Sequence, residues 1–350
     1  MRYLSSVRTS RFSGRGSSRR TFIVNSGQAL LIGAGLAAGL GRARMVGAAS
    51  QVTIGVASVP CQAPTYAALA QGYFEDEGLQ PTAVVSAEVG EILPALTSHK
   101  IDAGLSTVWA VVPPRLPTAI ALGDVVITAP LQRGCLALSV PPSSPVESLA
   151  DLSGLKVAGS KFLYGAAIFE AGLDPNIDIT WSAAPLAADV LATLEAGEFA
   201  AVQSPDGQGA LLEVAGVARM IGMNNMSPSE VNYCCACLMN ASSIQSDRPR
   251  AAAITRALMR GSAWAEANRT ETAELMRSSM TLPAQREITR DDMEAALAMQ
   301  AFVPMADAAR PILISEFDDY MAYGLPVSPP MDTATLIDRI FVPLTDELSG

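Results

Sequence analysis

Histidine and lysine are the scarcest chemistry-bearing residues of this 350-residue chain: one histidine, His99, and three lysines, Lys100, Lys156 and Lys161. A nucleophile that needs an imidazole base therefore has a single candidate partner. His99 precedes an apolar alternating run and reads as a solvated turn residue. Neither a G-x-S-x-G elbow nor a G-x-x-x-x-G-K-[ST] phosphate cradle occurs. Aromatic residues make up 5% and charged residues 17%, and no apolar run reaches the roughly 20 residues that span a bilayer. Basic charge is also displaced. Residues 1–50 hold eight arginines and no Asp or Glu, which leaves 16 basic against 34 acidic residues in the remainder. An acidic surface of that kind excludes nucleic acid and anionic lipid as partners. Acidic pairs such as Glu75/Glu77 and Asp291/Asp292 read as solvated helix faces.

What is present begins with an address. Ser18-Arg19-Arg20-Thr21-Phe22-Ile23 precedes a twelve-residue apolar run, 29–40 (ALLIGAGLAAGL), and a small-residue end, Gly47-Ala48-Ala49-Ser50. Those are the parts of an export signal, and SRRTFI resembles the twin-arginine consensus, which implies the twin-arginine export machinery as a partner. Cleavage is expected within residues 48–51.

Residues 52–59 (VTIGVASV) and 82–85 (TAVV) read as strands around a helix in 63–79 (APTYAALAQGYFEDEGL), with Gly72 near the helix end. This is a βαβ unit, and its loop 58–64 lies at the carboxyl end of a strand, where open α/β sheets bind ligands. The pattern then repeats. A helix over 87–97 tolerates Pro94 only in its first turn or at a bend, and a strand over 100–107 places Ile101, Ala103 and Leu105 on one face. Further strands are expected at 124–131, 134–140, 155–158, 177–182, 200–204, 217–220 and 232–239. Helices are expected at 164–171 and 187–196, and from Asp247 onward at 247–264, 270–279, 289–299, 312–323 and 333–339. Pro141-Pro142 and Ser143-Ser144-Pro145 mark a boundary by turn chemistry. The run LEAGEFAAV echoes the earlier SHKIDAGL, as two lobes of one design would.

Three motifs in order carry a family resemblance: A-x-x-x-GYF-x-x-EGL at 68–79, KIDAG at 100–104 and S-L-A-D-L-x-G-x-K-V at 148–157. Together they resemble the periplasmic solute-binding proteins of sulfonate, nitrate, taurine and pyrimidine-precursor importers, the NMT1/THI5-like family. The resemblance implies an α/β, two-lobed periplasmic binding protein type II fold. Each lobe is then a mixed sheet flanked by helices, with a ligand cleft between the lobes. Residues 1–50 would be the export signal, 51–140 the first part of lobe 1, 141–240 lobe 2, and 241–350 the completion of lobe 1. The implied function is capture of a small organic solute or oxyanion by lobe closure and delivery to an ABC permease with its ATPase, without a cofactor or catalytic residues.

Loops at strand ends supply the candidate ligand-binding residues. On the first lobe these are Ser58, Cys61, Gln62, Glu88, Val89, Ser106, Thr107 and Trp109. On the second they are Ser160, Lys161, Phe162, Tyr164, Gln203, Ser204 and Asp206. Helix-start amides can hold an oxyanion, Lys161 can add a point charge, and Trp109 or Phe162 can stack on a flat ligand. Glu88 and Asp206 would repel an anion, which keeps a neutral or cationic heterocycle open beside a sulfonate.

Five cysteines, Cys61, Cys135, Cys234, Cys235 and Cys237, leave at least one thiol unbridged. On a regular strand Cys235 and Cys237 share one face and Cys234 takes the other. The run reads first as small buried residues, then as a disulfide or a soft-metal site of unspecified metal involving Cys234, Cys235 and Cys237, with Cys61 or Cys135. It is also similar to the Cys-rich run of fungal pyrimidine-precursor synthases. Those enzymes need a His and a Lys in the first lobe, and loop 58–64 contains neither. A Cys- or metal-dependent enzyme on this fold, or a ligand-sensing module, remains the alternative.

Overall fold

The computed structural model describes residues 30–31, 50–86, 89–112, 120–205, 207–224, 232–277, 287–306 and 308–344. The expected export signal therefore lies outside the described part but for Ser50 and two residues of its apolar run. Those two, β1 (Leu30–Leu31), pair antiparallel with Ala83 and Thr82 at a sheet edge. Among the described residues no helix is long and apolar enough to cross a membrane.

The opening βαβ unit forms as its pattern requires. Strand β2 (Ser50–Ala57) becomes buried on both faces over its second half, as a central parallel strand must be. Pro64 sits in the first turn of α1 (Ala63–Gln71), where its missing N–H costs nothing. Gly72 ends that helix at φ 76°, ψ 24°, a left-handed conformation that a side chain resists. The turn α2 (Tyr73–Asp76) then buries Phe74 completely, and β3 (Leu79–Ser86) returns parallel to β2.

A 3-10 turn, Val89–Glu91, leads into α3 (Ile92–Thr97), so Pro94 does fall in a first turn. Strand β4 (Ala103–Thr107) follows. The KIDAG motif now has a physical account. Asp102 Oδ2 accepts the Thr53 N–H at 2.7 Å, and Oδ1 accepts from Arg250 Nη1 at 3.1 Å, tying a turn, a strand and a distant helix together. At Gly104 a Cβ would lie 2.8 Å from Ile92 Cγ2 and 3.2 Å from the Gly55 oxygen, so nothing larger lets β4 approach β2. One expectation fails here. Ile101 packs with Ile92 and Val108 on one side, whereas Ala103 and Leu105 join the core on the other. Residue 101 precedes the strand and escapes its alternation.

The chain continues through β5 (Val125–Arg133), β6 (Ala137–Val140), a 3-10 turn Leu149–Leu152 closed by a Ser148–Asp151 capping box, and β7 (Leu155–Ala158). Helix α4 (Lys161–Glu170), β8 (Ile179–Ser182), α5 (Val190–Ala196) and β9 (Ala201–Ser204) follow. Next come α6 (Gln208–Val214), β10 (Arg219–Met223) and β11 (Tyr233–Asn240). The rest is helical: α7 (Ala241–Ser246), α8 (Arg248–Ala267), α9 (Arg269–Arg277), α10 (Arg290–Ala298), α11 (Ala309–Ala322) and α12 (Thr333–Ile340). Asp247 caps α8 by accepting the Arg250 N–H, and Thr289 with Asp292 forms a capping box on α10.

The strands make two mixed sheets, β1-β3-β2-β4-β11-β5 and β10-β6-β9-β7-β8. In the first, β2 runs parallel to β3 and β4, and β11 is antiparallel to β4 and β5. In the second, β7 runs parallel to β8 and β9, and β6 is antiparallel to β9 and β10. Apart from β1 the wiring is the same, which is the physical content of the sequence echo.

The antiparallel strand in each sheet is the one that sequence order misplaces. Residues 137–140, expected in the first lobe, belong to the second sheet. Residues 233–240, expected in the second, lie between β4 and β5 of the first. Ladder pairing decides this, because each strand fills the open edge beside the third parallel strand. The chain thus passes to the second sheet between Arg133 and Ala137 and is back in the first by Tyr233. Helix α8 then packs on α1 so closely that a Cβ at Gly261 would lie 2.2 Å from the Pro64 oxygen.

Candidate functional site

A cavity of about 250 Å³ opens between the two sheets. It is smaller than the roughly 300–1,000 Å³ of drug-sized ligand sites, a volume for a compact solute. From the first sheet it is lined by Val89, Gly90 and Leu93 at the start of α3, and by Ser106, Thr107, Trp109 and Ala110 at the carboxyl end of β4. From the second come Ser160 and Leu163 at the start of α4, with Gln203 and Pro205 at the end of β9. Leu136, in the short crossing between β5 and β6, completes the wall.

Both halves repeat one device, a strand end facing a helix start. Ser160 occupies the N-cap position of α4, and its side chain makes no capping bond, so the hydroxyl is uncommitted there. The first amides of a ten-residue helix and the positive end of its dipole face the same space. Gln203 Oε1 accepts the Ser160 N–H at 2.9 Å. That bond orients the amide and leaves its Nε2 as a donor. Trp109, 6% exposed, meets Phe162 edge-on at 6.2 Å and Tyr320 at 5.8 Å. Indole and α4 are thereby held by one aromatic cluster that joins the lobes.

The structure brings together Val89, Ser106, Thr107, Trp109, Ser160 and Gln203 of the residues expected from the sequence. Others fall elsewhere, for identifiable reasons. Helix α4 starts at Lys161 rather than at residue 164, so Phe162 and Tyr164 become inward helical positions, 7% and 0% exposed. Phe162 packs behind the cavity. Tyr164 lies in the core, where burial raises its phenol well above the ordinary value. Lys161 Nζ donates to Asn176 Oδ1 at 2.7 Å on the exposed side and brings no charge to the cavity.

Ser204 is buried inside its sheet with its hydroxyl 2.8 Å from that of Ser139. Ser58, half-buried, donates its N–H to the Ser86 oxygen and is not in the wall. Gln62 is buried and donates Nε2 to the Leu105 oxygen at 3.1 Å, bracing the loop from behind. Cys61, beside it, is also buried. Glu88 and Asp206 lie outside the described residues. Sequence reasoning passed over Gly90, Leu93, Ala110, Leu136, Leu163 and Pro205. Leu163 was within reach, three residues after Ser160 on one helix face.

The cysteine run departs from its expected pattern. Strand β11 bulges against β5 between Tyr233 and Ala236, and an inserted residue breaks side-chain alternation. Cys234 and Cys235 therefore both join the core cluster that holds Cys61 and Cys135, whereas Cys237 lies in the cluster on the other face. Burial is the leading cause that pushes the Cys237 thiol up to about 11, offset by hydrogen bonds with Thr128 and Thr255. Cys135 exchanges hydrogen bonds with Cys234, Cys235 and Cys61 inside the protein, and its thiol is pushed up to about 12. All five cysteines are unbridged. His99 stands in its turn at φ 54°, with Nδ1 3.4 Å from Asn240 Nδ2, away from the cavity wall.

The sequence profile described as NMT1/THI5-like matches residues 60–272. No curated protein sequence matches the chain. Among solved structures, the alkanesulfonate-binding protein SsuA from Xanthomonas axonopodis pv. citri, bound to MOPS, is similar at TM-score 0.62 and 18% identity, covering 84% of this chain and 98% of that one. The periplasmic nitrate-binding protein NrtA from Synechocystis PCC 6803 is similar at TM-score 0.66 and 15% identity, covering 86% and 89%. The desulfurization enzyme DSZB shares the fold at TM-score 0.54 and 14% identity, covering 86% and 99%.

Proposed function

The chain belongs to the NMT1/THI5-like family, and on that footing we propose that it is the extracytoplasmic solute-binding component of an ABC importer. The observation that carries the reading is the cavity between two like-wired sheets, lined from both by hydroxyls, an amide and one indole. A small organic solute or oxyanion of the sulfonate, nitrate or pyrimidine-precursor class fits that lining. Ser106, Thr107, Ser160 and the α4 amides supply donors, Gln203 adds another, and Trp109 covers an apolar or flat part.

In this reading the two sheets are the cores of two lobes, which close about the chain passages between β5 and β6 and between β10 and β11. Closure draws on the difference in ligand affinity between the open and closed states. The closed form docks on a permease paired with an ATPase, after export by the twin-arginine route. The reading is non-enzymatic, with support from the solved neighbours SsuA and NrtA, both binding proteins.

A thermal-shift screen of the mature chain against sulfonates, nitrate, pyrimidines and amines tests it. A ligand at a hundredfold excess over Kd raises apparent stability by about 2.7 kcal/mol. One solute class should shift the midpoint, and Trp109→Ala should abolish the shift. A screen in which no solute shifts the midpoint would overturn the proposal.

A further inference from the structure

Behind the cavity lies a group of side chains that solute capture does not use. The Sγ atoms of Cys61, Cys135 and Cys235 all lie within 4.8 Å of one another, and the three residues are 0%, 1% and 0% exposed. We propose that these three cysteines form a binding site for one soft d10 metal ion of the Cu(I) class. Sulfur-only donor sets select such ions. A metal–thiolate bond of about 2.3 Å puts the corners of a trigonal set roughly 4.0 Å apart. A contraction of less than an ångström therefore closes the site. Binding forms three metal–sulfur bonds and releases the thiol protons to solvent, with no change of oxidation state.

One buried amide stands against the backbone of this group. Asn224 Oδ1 accepts the backbone N–H of Cys135 at 3.4 Å and of Leu136 at 3.1 Å, which leaves Nδ2 as a buried donor with no partner. That amide thus holds the backbone of one ligand residue in place, as groups behind a metal ligand do. Cys61 belongs to the 3-10 turn after β2, Cys135 to the short crossing between sheets, and Cys235 to the strand that follows the return crossing. One ion would fasten all three. Leu136, next to Cys135, lines the solute cavity, so the metal would stiffen the wall without occupying it.

The test is anaerobic titration of the full chain with Cu(I) held by a chromogenic chelator, together with X-ray absorption of the loaded protein. One equivalent should bind in a sulfur-only shell at about 2.3 Å. Cys61→Ser, Cys135→Ser and Cys235→Ser should each weaken uptake by at least about tenfold, whereas Cys237→Ser, on the opposite face, should leave it unchanged. Circular dichroism of the metal-free variants separates a lost site from a lost fold, and the absorption spectrum of the unmutated chain stands whether or not they fold. No stoichiometric uptake, nitrogen or oxygen in the shell, or equal loss in Cys237→Ser would each overturn the proposal.

Discussion

The two sheets share one wiring and differ in what covers them. On one face of the first sheet, Ile54, Leu105 and Met239 pack against Leu69 of α1 and Ile254 and Leu258 of α8, in a cluster that reaches α9 and α10. The corresponding face of the second sheet rests on Ala158, Val190, Leu194, Val202, Leu212 and Ala218, with Phe199 and Val217 at the margin. Its edge strand β8 is buried only at Ile179, and Phe169, Ile177 and Leu186 around it are exposed. Beyond that, the second sheet relies on the large cluster that runs across both, from Ile127 to Leu138, Val157 and Ile168. One topology thus supports a thick platform and a thin partner, and the partner is stable largely through what it shares.

The largest effect that tests this contrast is a methyl group at the α1–α8 contact. Gly261→Ala places a carbon 2.2 Å from the Pro64 oxygen and 2.8 Å from Ala68, backbone that cannot turn aside. A loss of about 3 kcal/mol is expected in denaturant unfolding. The matching change in the second sheet, Gly159→Ala, meets nothing nearer than 3.5 Å and should stay within about 1 kcal/mol of the parent. Equal losses would break the comparison.

Next in size is the seam between lobes. A Cβ at Gly165 of α4 would lie 2.3–2.7 Å from Tyr323, just beyond α11. Gly165→Ala should cost roughly 2 kcal/mol and change solute affinity more than the deeper Gly261→Ala does. Isothermal titration on both variants checks that order.

Glu316 gives a pH-dependent test. It is fully buried under β11, accepting the Tyr233 N–H at 2.9 Å and the Tyr320 hydroxyl. Burial pushes its carboxyl from 4.5 up to about 8, with Asp319 adding to the rise and Arg133 opposing it. Between those values the folded chain keeps a proton that the unfolded chain loses. Stability therefore falls as pH climbs from about 4.5 to about 8. Glu316→Gln should remove that slope, near neutral in effect at about pH 5 and stabilising by roughly 1–2 kcal/mol at about pH 9. Urea midpoints at the two pH values decide it, and a parallel offset at both would refute the assignment.

The smallest effect concerns Asp102. It is part-exposed and paired with Arg250 at 3.0 Å, so Asp102→Ala should cost about 1 kcal/mol, through the bond to Thr53 more than the ion pair. Arg250→Gln should cost less still.

Local signals in the chain were read accurately where short-range physics decides them. Gly72 and Gly197 both end helices in the left-handed conformation, Asp247 and Thr289 start them, and the small residues of KIDAG sit where two strands approach closely. The candidate cavity was legible to the extent that strand ends line it: Ser106, Thr107, Trp109, Ser160 and Gln203, named by that rule, are in its wall. The rule failed at α4, where the helix starts at Lys161 rather than at residue 164, so Phe162 and Tyr164 turned into the core.

The sequence alone was enough for the βαβ rhythm, the caps, the repeated lobe design and the family, because each rests on contacts or motifs within a few residues. Three features needed the assembled fold. The exchange of β6 and β11 between sheets depends on which edge remains open after the parallel strands have paired. The bulge that turns Cys235 off the Cys237 face and toward Cys61 and Cys135 depends on register against β5, a strand about a hundred residues earlier. The cavity wall depends on two helix starts meeting across the gap. Each of these is a long-range pairing, for which no local periodicity carries a signal.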